Sequence, residues 1–281
     1  MLLNISDLAT GASRICRTWR KAACDPGLWK IVDMNSLEKS NSLIDIPGSS
    51  DSMSDEEYSS SRLMLVLNSA LNLSCGQVTC LVFPFNFYIE DKELISVAHR
   101  SPNLKRLVLQ SSFQFSVEAF QEAVKYWKCL ESLTLPYVFR YEEILSSIGA
   151  NCKNLSEMKS SCSIDLGLAE AIIATVPRLK VLSLRHTAAF KQALLHLLKS
   201  LKNLKVLNLM HVLVADLTQA GMELQGIDDE ITKCALHLKK FLTCPERVCP
   251  KCNVVEDDNI LRCYDLDEDD WRRDEIPSLT I

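Results

Sequence analysis

The C-terminal stretch holds the residues best suited to chemistry. Cys249-Pro250-Lys251-Cys252 is a CxxC, with Cys244 five residues before it and Cys263 eleven residues after it. Four thiolates at such spacings would close a tetrahedral zinc site. A second CxxC is lacking, and the nearest histidine in sequence is His237. A single CxxC is a weak metal signal, and a thioredoxin-like redox role needs a strand–helix context that a terminal segment does not supply. Free cysteines in a terminal cap are expected, with no metal and no cofactor. Between Glu256 and Glu275 stand ten carboxylates in 20 residues, against Arg262, Arg272 and Arg273. Paired carboxylates do acid–base work only in a desolvated cleft, and an acidic run of this kind reads as a solvated surface. Tyr264 and Trp271 are the residues expected to pin it down. The five histidines (His99, His186, His196, His211 and His237) fall in no nucleophile or metal motif, and GxGxxG, P-loop, HExxH and GxSxG are all missing. No catalytic residue is assigned, and the expectation is a protein that is not an enzyme.

The elements around these residues are set by a phrase that returns about every 25 residues. Its copies are Leu104-x-x-Leu107-x-Leu109, Leu130-x-x-Leu133-x-Leu135, Leu155-x-x-Met158-x-Ser160, Leu179-x-x-Leu182-x-Leu184 and Leu204-x-x-Leu207-x-Leu209, with a weaker copy at Val78-x-x-Leu81-x-Phe83. The steps are 26, 26, 25, 24 and 25 residues, the period of a leucine-rich repeat. The second half of each phrase alternates as a strand does. The segment after it has helical spacing, as in Val117, Phe120, Val124 and Trp127, or Phe190, Leu194, Leu197, Leu198 and Leu201. The fold class is therefore α/β: a leucine-rich-repeat solenoid with parallel strands on the concave face and helices on the convex face. No repeat buries its apolar face alone, so neighbours must stack. The third copy, ending in Ser160, reads as locally loose. The last interval, Leu204 to Leu238, is 34 residues, across an insertion near ADLTQAGMELQG.

Composition narrows the function classes. The chain of 281 residues has a formal net charge of −5, so it carries no basic field for a nucleic-acid backbone. No run of about 18 apolar residues offers a membrane span. The N-terminus lacks the basic start and apolar core of a secretory signal. The 12 cysteines are scattered through repeat positions, and a reducing compartment with free thiols is expected.

Four zones follow: a helical segment at 1–35, a linker at 36–61, the repeats at 62–243, and a cap with an acidic tail at 244–281. Ten of the 26 residues at 36–61 are serine, a composition too polar to offset ordering. From Arg62, RLMLVLNSALNLSCG reads as a helix entering the first repeat strand. Inside the repeats, the Leu positions are architecture. The outward strand positions are the candidates for holding a partner: Arg106, Val108, Gln110, Thr134, Lys159, Ser183, Arg185, Asn208 and Met210. Their mixed character suits a protein rather than a phosphate groove.

In the N-terminal segment, Leu8, Ala12, Ile15, Cys16, Trp19 and Ala23 form an apolar helical stripe, broken by Asp25-Pro26-Gly27. The phrase ICRTWRKAACDPGLWKIVDM resembles the second half of the F-box of plant F-box proteins, and YDLDEDDWRRDEIPSLTI is similar to the tail of plant F-box/leucine-rich-repeat proteins. The resemblance implies a substrate receptor of a Skp1–cullin–F-box ubiquitin ligase, working in the nucleus or cytoplasm. The box would dock on the Skp1-type adaptor, and through it on a cullin, while the repeats hold a protein substrate. The positions that match the family's docking surface are Ile5, Leu8, Ile15, Cys16, Trp19, Pro26, Leu28 and Trp29. The family's box opens with a Leu-Pro helix, whereas nothing stands upstream of LLNIS here, so that helix is expected to be absent or nearly so. The alternative is a free-standing repeat module that binds a partner without any ligase link.

Overall fold

The computed structural model describes residues 7–35, 55–84, 87, 89–109, 115–135, 140–218, 221–244 and 275–280. The chain divides into two compact units. The first is Met1–Glu131 with Asn151–Asn154, and the second is Ser132–Ala150 with Leu155–Ile281.

In the first unit a π-helical turn, Asp7–Ala12, runs into Ser13–Ile15, and helix α1, Arg17–Ala23, follows. A 3-10 turn, Pro26–Trp29, leads to strand β1, Ile31–Asp33. Strand β1 corrects the all-helical reading of this segment. Ile31 and Val32 are β-branched, which favours a pleated strand. They pair in parallel with β2, Cys80–Val82, which pairs in parallel with β3, Arg106–Val108. The segment thus supplies a strand to the repeat sheet rather than resting against it.

Helix α2 spans Asp55–Ser74. It starts seven residues before Arg62, inside the stretch read as linker. The sequence there, Asp55-Glu56-Glu57, carries the charge that a helix start favours. Arg100 clips this helix to α3, Asp91–Arg100: its guanidinium donates to Asn68 Oδ1 at 2.7 Å, to the Asn68 carbonyl at 2.6 Å and to Asn72 Oδ1 at 2.6 Å. Helix α4 is Val117–Val124. Ser116 caps it by accepting from Ala119 N, and itself donates N–H and Oγ–H to the Asp91 carboxylate at 2.6 and 2.8 Å. Phe120 and Trp127 are buried below, with Trp127 Nε1 donating to Ser101 Oγ.

The second unit repeats the plan. Strands β4 (Ser132–Leu135), β5 (Glu157–Ser160), β6 (Val181–Ser183), β8 (Val206–Asn208) and β11 (Lys240–Leu242) lie in that order, all parallel. Helices α5 (Tyr141–Asn151), α6 (Leu166–Thr175), α7 (Lys191–Ser200) and α8 (Asp229–Cys234) alternate with them. The register keeps the phrase positions side by side, as in Leu133↔Met158, Met158↔Leu182 and Leu182↔Leu207. The same rung recurs between repeats: Lys180 N donates to Ser156 O, Lys205 N to Lys180 O and Lys239 N to Lys205 O. Every Leu of the five main copies is buried, as are Val78, Leu81 and Phe83 of the weaker one. That is the α/β leucine-rich-repeat fold the period implied.

Ser160, read as a loose point, is buried on a strand paired on both sides, and its hydroxyl accepts from Cys162 N at 3.2 Å. A serine fits there because the turn gives its oxygen a partner. Gly149 shows why the helices lie so close: a Cβ there would meet the Thr175 carbonyl at 2.5 Å. The 34-residue interval contains a hairpin. Strand β9, Leu213–Thr218, pairs antiparallel with β10, Gly221–Gln225, and in parallel with β7, Ala188–Phe190. Lys191 sits between Asp216, Asp228 and Glu230 at 3.6, 2.7 and 3.0 Å, holding the hairpin, α7 and the start of α8 together.

Candidate functional site

Two surfaces carry the residues that the sequence offers as candidates. The first is the N-terminal segment. Extended backbone at Cys16 separates Ser13–Ile15 from α1, and the Cys16 sulfur accepts from Trp19 N at 3.5 Å. The break turns Ile15 and Trp19 outward, 68% and 48% exposed. At the next turn Asp25 caps Gly27 N at 2.9 Å, with Pro26 at the first helical position. The chain then places Leu28 outside and Trp29 inside. Leu28 is 46% exposed, while Trp29 is fully buried and donates Nε1–H to the Ala23 carbonyl at 2.5 Å. Ile31 is 60% exposed, and Val32, one step on, is buried.

Of the seven large exposed hydrophobics among the described residues, four lie between Ile15 and Ile31. Exposed apolar side chains this close together in sequence are the candidates for an interaction surface. Arg14, Arg17, Arg20, Lys21 and Lys30 are exposed along the same stretch. A cleft beside it, against α2, is lined by Ser13, Arg17, Arg20, Asn72 and Leu73.

The expected docking positions are therefore divided. Ile15, Cys16, Trp19, Pro26 and Leu28 are exposed and Leu8 is half-buried. Trp29 is corrected to a core residue: its ring closes the segment's interior and is not available to a partner. Ile5 lies outside the described residues. Ile31 is an exposed apolar residue that the helical stripe missed, because it belongs to a strand.

The second surface is the outward face of the repeat strands. In the first unit Arg106 is half-buried and Val108 is buried. In the second unit Thr134, Lys159, Ser183, Arg185 and Asn208 are buried and Met210 is half-buried. Gln110 lies outside the described residues. These positions do not form the open ladder that alternation implied. In the second unit the chain's own C-terminal segment sits on two of them, Lys159 and Asn208. Lys159 Nζ lies 2.7 Å from Glu275 Oε2, with the two side chains 5% and 0% exposed. Asn208 Nδ2 and Ile276 N donate to Glu275 Oε1 at 3.0 and 2.9 Å. Burial pushes the Glu275 carboxyl up, but the charge and hydrogen bond of Lys159, with the hydrogen bonds from Ile276 N and Ser183, outweigh it and hold it below the usual carboxylate range. At Glu275, then, the tail is not a solvated surface; the remaining carboxylates, Tyr264 and Trp271 lie outside the described residues.

A third cluster lies just past the C-terminal ends of β6 and β8. His186 and His211 stack with ring centroids 4.5 Å apart, both at positive φ, 56° and 59°. His211 N donates to Cys244 Sγ at 3.2 Å, and that sulfur lies 3.3 Å from His211 Nδ1. The structure thus brings His211, not His237, to the first of the four cysteines. Cys249, Cys252 and Cys263 lie outside the described residues. Among the described residues no three His, Cys, Asp or Glu side chains are grouped to hold a metal ion. No helix of the described residues is long and apolar enough to cross a membrane.

No protein-family model matches the chain. Curated proteins do. An F-box/LRR-repeat protein of Arabidopsis thaliana is 35% identical over 284 residues, covering 99% of this chain and 91% of the relative. A second Arabidopsis F-box protein is 26% identical over 313 residues, covering 99% and 91%. The Arabidopsis F-box protein SKIP19 is 28% identical over 229 residues, covering 79% and 69%.

Proposed function

The chain belongs to the plant F-box/LRR-repeat family, and from that premise we propose that it is the substrate-recognition subunit of a Skp1–cullin–F-box ubiquitin ligase. It works by proximity in the nucleus or cytoplasm, without catalysis of its own. The N-terminal segment docks on a Skp1-type adaptor, which links it to a cullin, and the repeats hold a protein substrate.

The observation that carries this reading is the outward position of Trp19, together with Ile15 and Leu28. Burying a half-exposed tryptophan and two aliphatic side chains against a partner supplies a centre of the kind that dominates protein interfaces. Trp29 and Ala23 hold that surface in shape from beneath. The basic residues beside it suit an acidic partner face and would speed encounter.

Calorimetric titration of the full chain with a plant Skp1-type adaptor tests it, with Trp19→Ala in parallel. Binding that weakens by about 30-fold or more in the variant, the effect of losing a hot-spot side chain, supports the reading. A folded chain that does not bind at all leaves a free-standing repeat module, the alternative that the sequence keeps open.

A further inference from the structure

The contact between the tail and the strands has a chemistry of its own. Glu275–Thr280 forms a hook held by its own bonds: Leu279 N and Thr280 N donate to Ile276 O at 2.8 and 3.0 Å, and Thr280 Oγ1 donates to Pro277 O at 2.8 Å. It meets the repeat strands of its own unit through one carboxylate, and it buries two apolar side chains, Ile276 and Leu279. The groups that receive the carboxylate, Lys159 and Asn208, stand at outward positions of β5 and β8, with buried Ser183 on β6 between them.

Lys159 makes this face selective. Its ammonium is held in a dry place by the strand, and a buried cation needs a counter-charge. Any occupant of the face must therefore bring an anion to within hydrogen-bond reach of Lys159 and Asn208, followed by apolar side chains where Ile276 and Leu279 now sit. We propose that this face of the repeats recognises a protein segment with a carboxylate followed by apolar residues, and that Glu275–Thr280 is its in-chain stand-in, displaced when the partner binds. The proposal rests on the reading of the repeats as the substrate-holding part. It adds the class of segment they take and a tail that competes for the same place.

A labelled synthetic peptide of residues 271–281 is the probe, titrated into the full chain by fluorescence anisotropy. A tail tethered in the same chain competes at an effective concentration on the order of millimolar. The peptide should thus bind a Glu275→Gln chain at least about tenfold more tightly than the wild-type chain. A peptide carrying Gln in place of Glu275 should bind at least about tenfold more weakly than the parent peptide to that same variant. Equal binding of the two peptides, or no gain in the Glu275→Gln chain, would overturn the proposal.

Hydrogen exchange on the unmodified chain gives a second readout that no folding defect can confuse. Release of the hook predicts that the Leu279 and Thr280 amides exchange at least about tenfold faster than the amides of β5 and β6. Exchange at the rate of those strands would show a fixed structural plug and overturn displacement. Adaptor binding is read at the N-terminal segment, so its failure would sink the ligase reading while leaving the peptide result intact.

Discussion

Replacing Lys159 with methionine removes the cation beneath Glu275 while keeping the aliphatic stem. The carboxylate, whose side chain is fully buried, then has three ways out. Staying charged in place costs about 3–5 kcal/mol, the penalty for breaking a buried pair. Taking a proton at pH 7 costs about 1.4 kcal/mol per pH unit above an ordinary glutamate value near 4.3, or roughly 3.7 kcal/mol. Leaving the strands exposes Ile276 and Leu279, about 1.5–3 kcal/mol each, and the chain entropy regained offsets part of that. The cheapest route sets the loss, so the variant should be less stable by about 2–4 kcal/mol at pH 7. The pH dependence gives the sharper signature. In the wild-type protein the Glu275 carboxyl is held below its usual range. The stability it contributes is present above the unfolded value, about 4.3, and is lost as pH falls through the lower folded value. Without Lys159 burial prevails and the carboxyl moves up instead, so the deficit of the variant should shrink from pH 7 toward pH values near 4.3. Urea unfolding followed by tryptophan fluorescence at four pH values between these limits measures it. A deficit below about 1 kcal/mol at pH 7, the scale of an exposed ion pair, would refute the reasoning. So would a deficit that does not change with pH.

Trp29→Ala should cost about 3–5 kcal/mol of stability through its cavity, whereas Trp19→Ala should cost under about 1 kcal/mol; thermal melts of the two variants separate these outcomes. Gly149→Ala should lower stability by about 1–3 kcal/mol, because the clash with Thr175 outweighs the gain in helix propensity of up to about 1 kcal/mol; chemical denaturation reads the sign. Cys152 is buried and its thiol is pushed up to about 12, mainly by burial, whereas Cys16 and Cys75 are exposed. Alkylation of the native chain at pH 8 should modify Cys16 and Cys75 and spare Cys152, and peptide mapping by mass spectrometry checks this.

The repeats were legible because their signal is periodic. A Leu that must be buried once per turn of a solenoid recurs at a fixed step, and no distant pairing has to be guessed. Trp19 and Trp29 show where periodicity stops helping. The family resemblance gives the two the same docking role, but Asp25-Pro26-Gly27 resets the phase between them, so one ring faces water and the other fills the interior. The return of Glu275 to Lys159 left no trace in the sequence, since it is one of ten carboxylates and its partner lies 116 residues away. Alternation sets Lys159 and Asn208 on the strand positions between the Leu residues. It could not show that another segment covers them. The pairing of His211 with Cys244 did leave a signal. His186 and His211 are one 25-residue step apart, and the 34-residue step from Leu204 to Leu238 carries position 211 to within one residue of Cys244. Counting in repeats rather than in residues would have found it.

The exposed N-terminal residues are proposed to join this chain to a ligase core. Reconstitution of the full chain with a Skp1-type adaptor and a cullin, followed by size-exclusion chromatography with light scattering, tests it most directly. A complex with one copy of each, lost on Leu28→Asp with the fold of the chain retained, is the predicted result. A folded wild-type chain that elutes apart from the adaptor–cullin pair would contradict it.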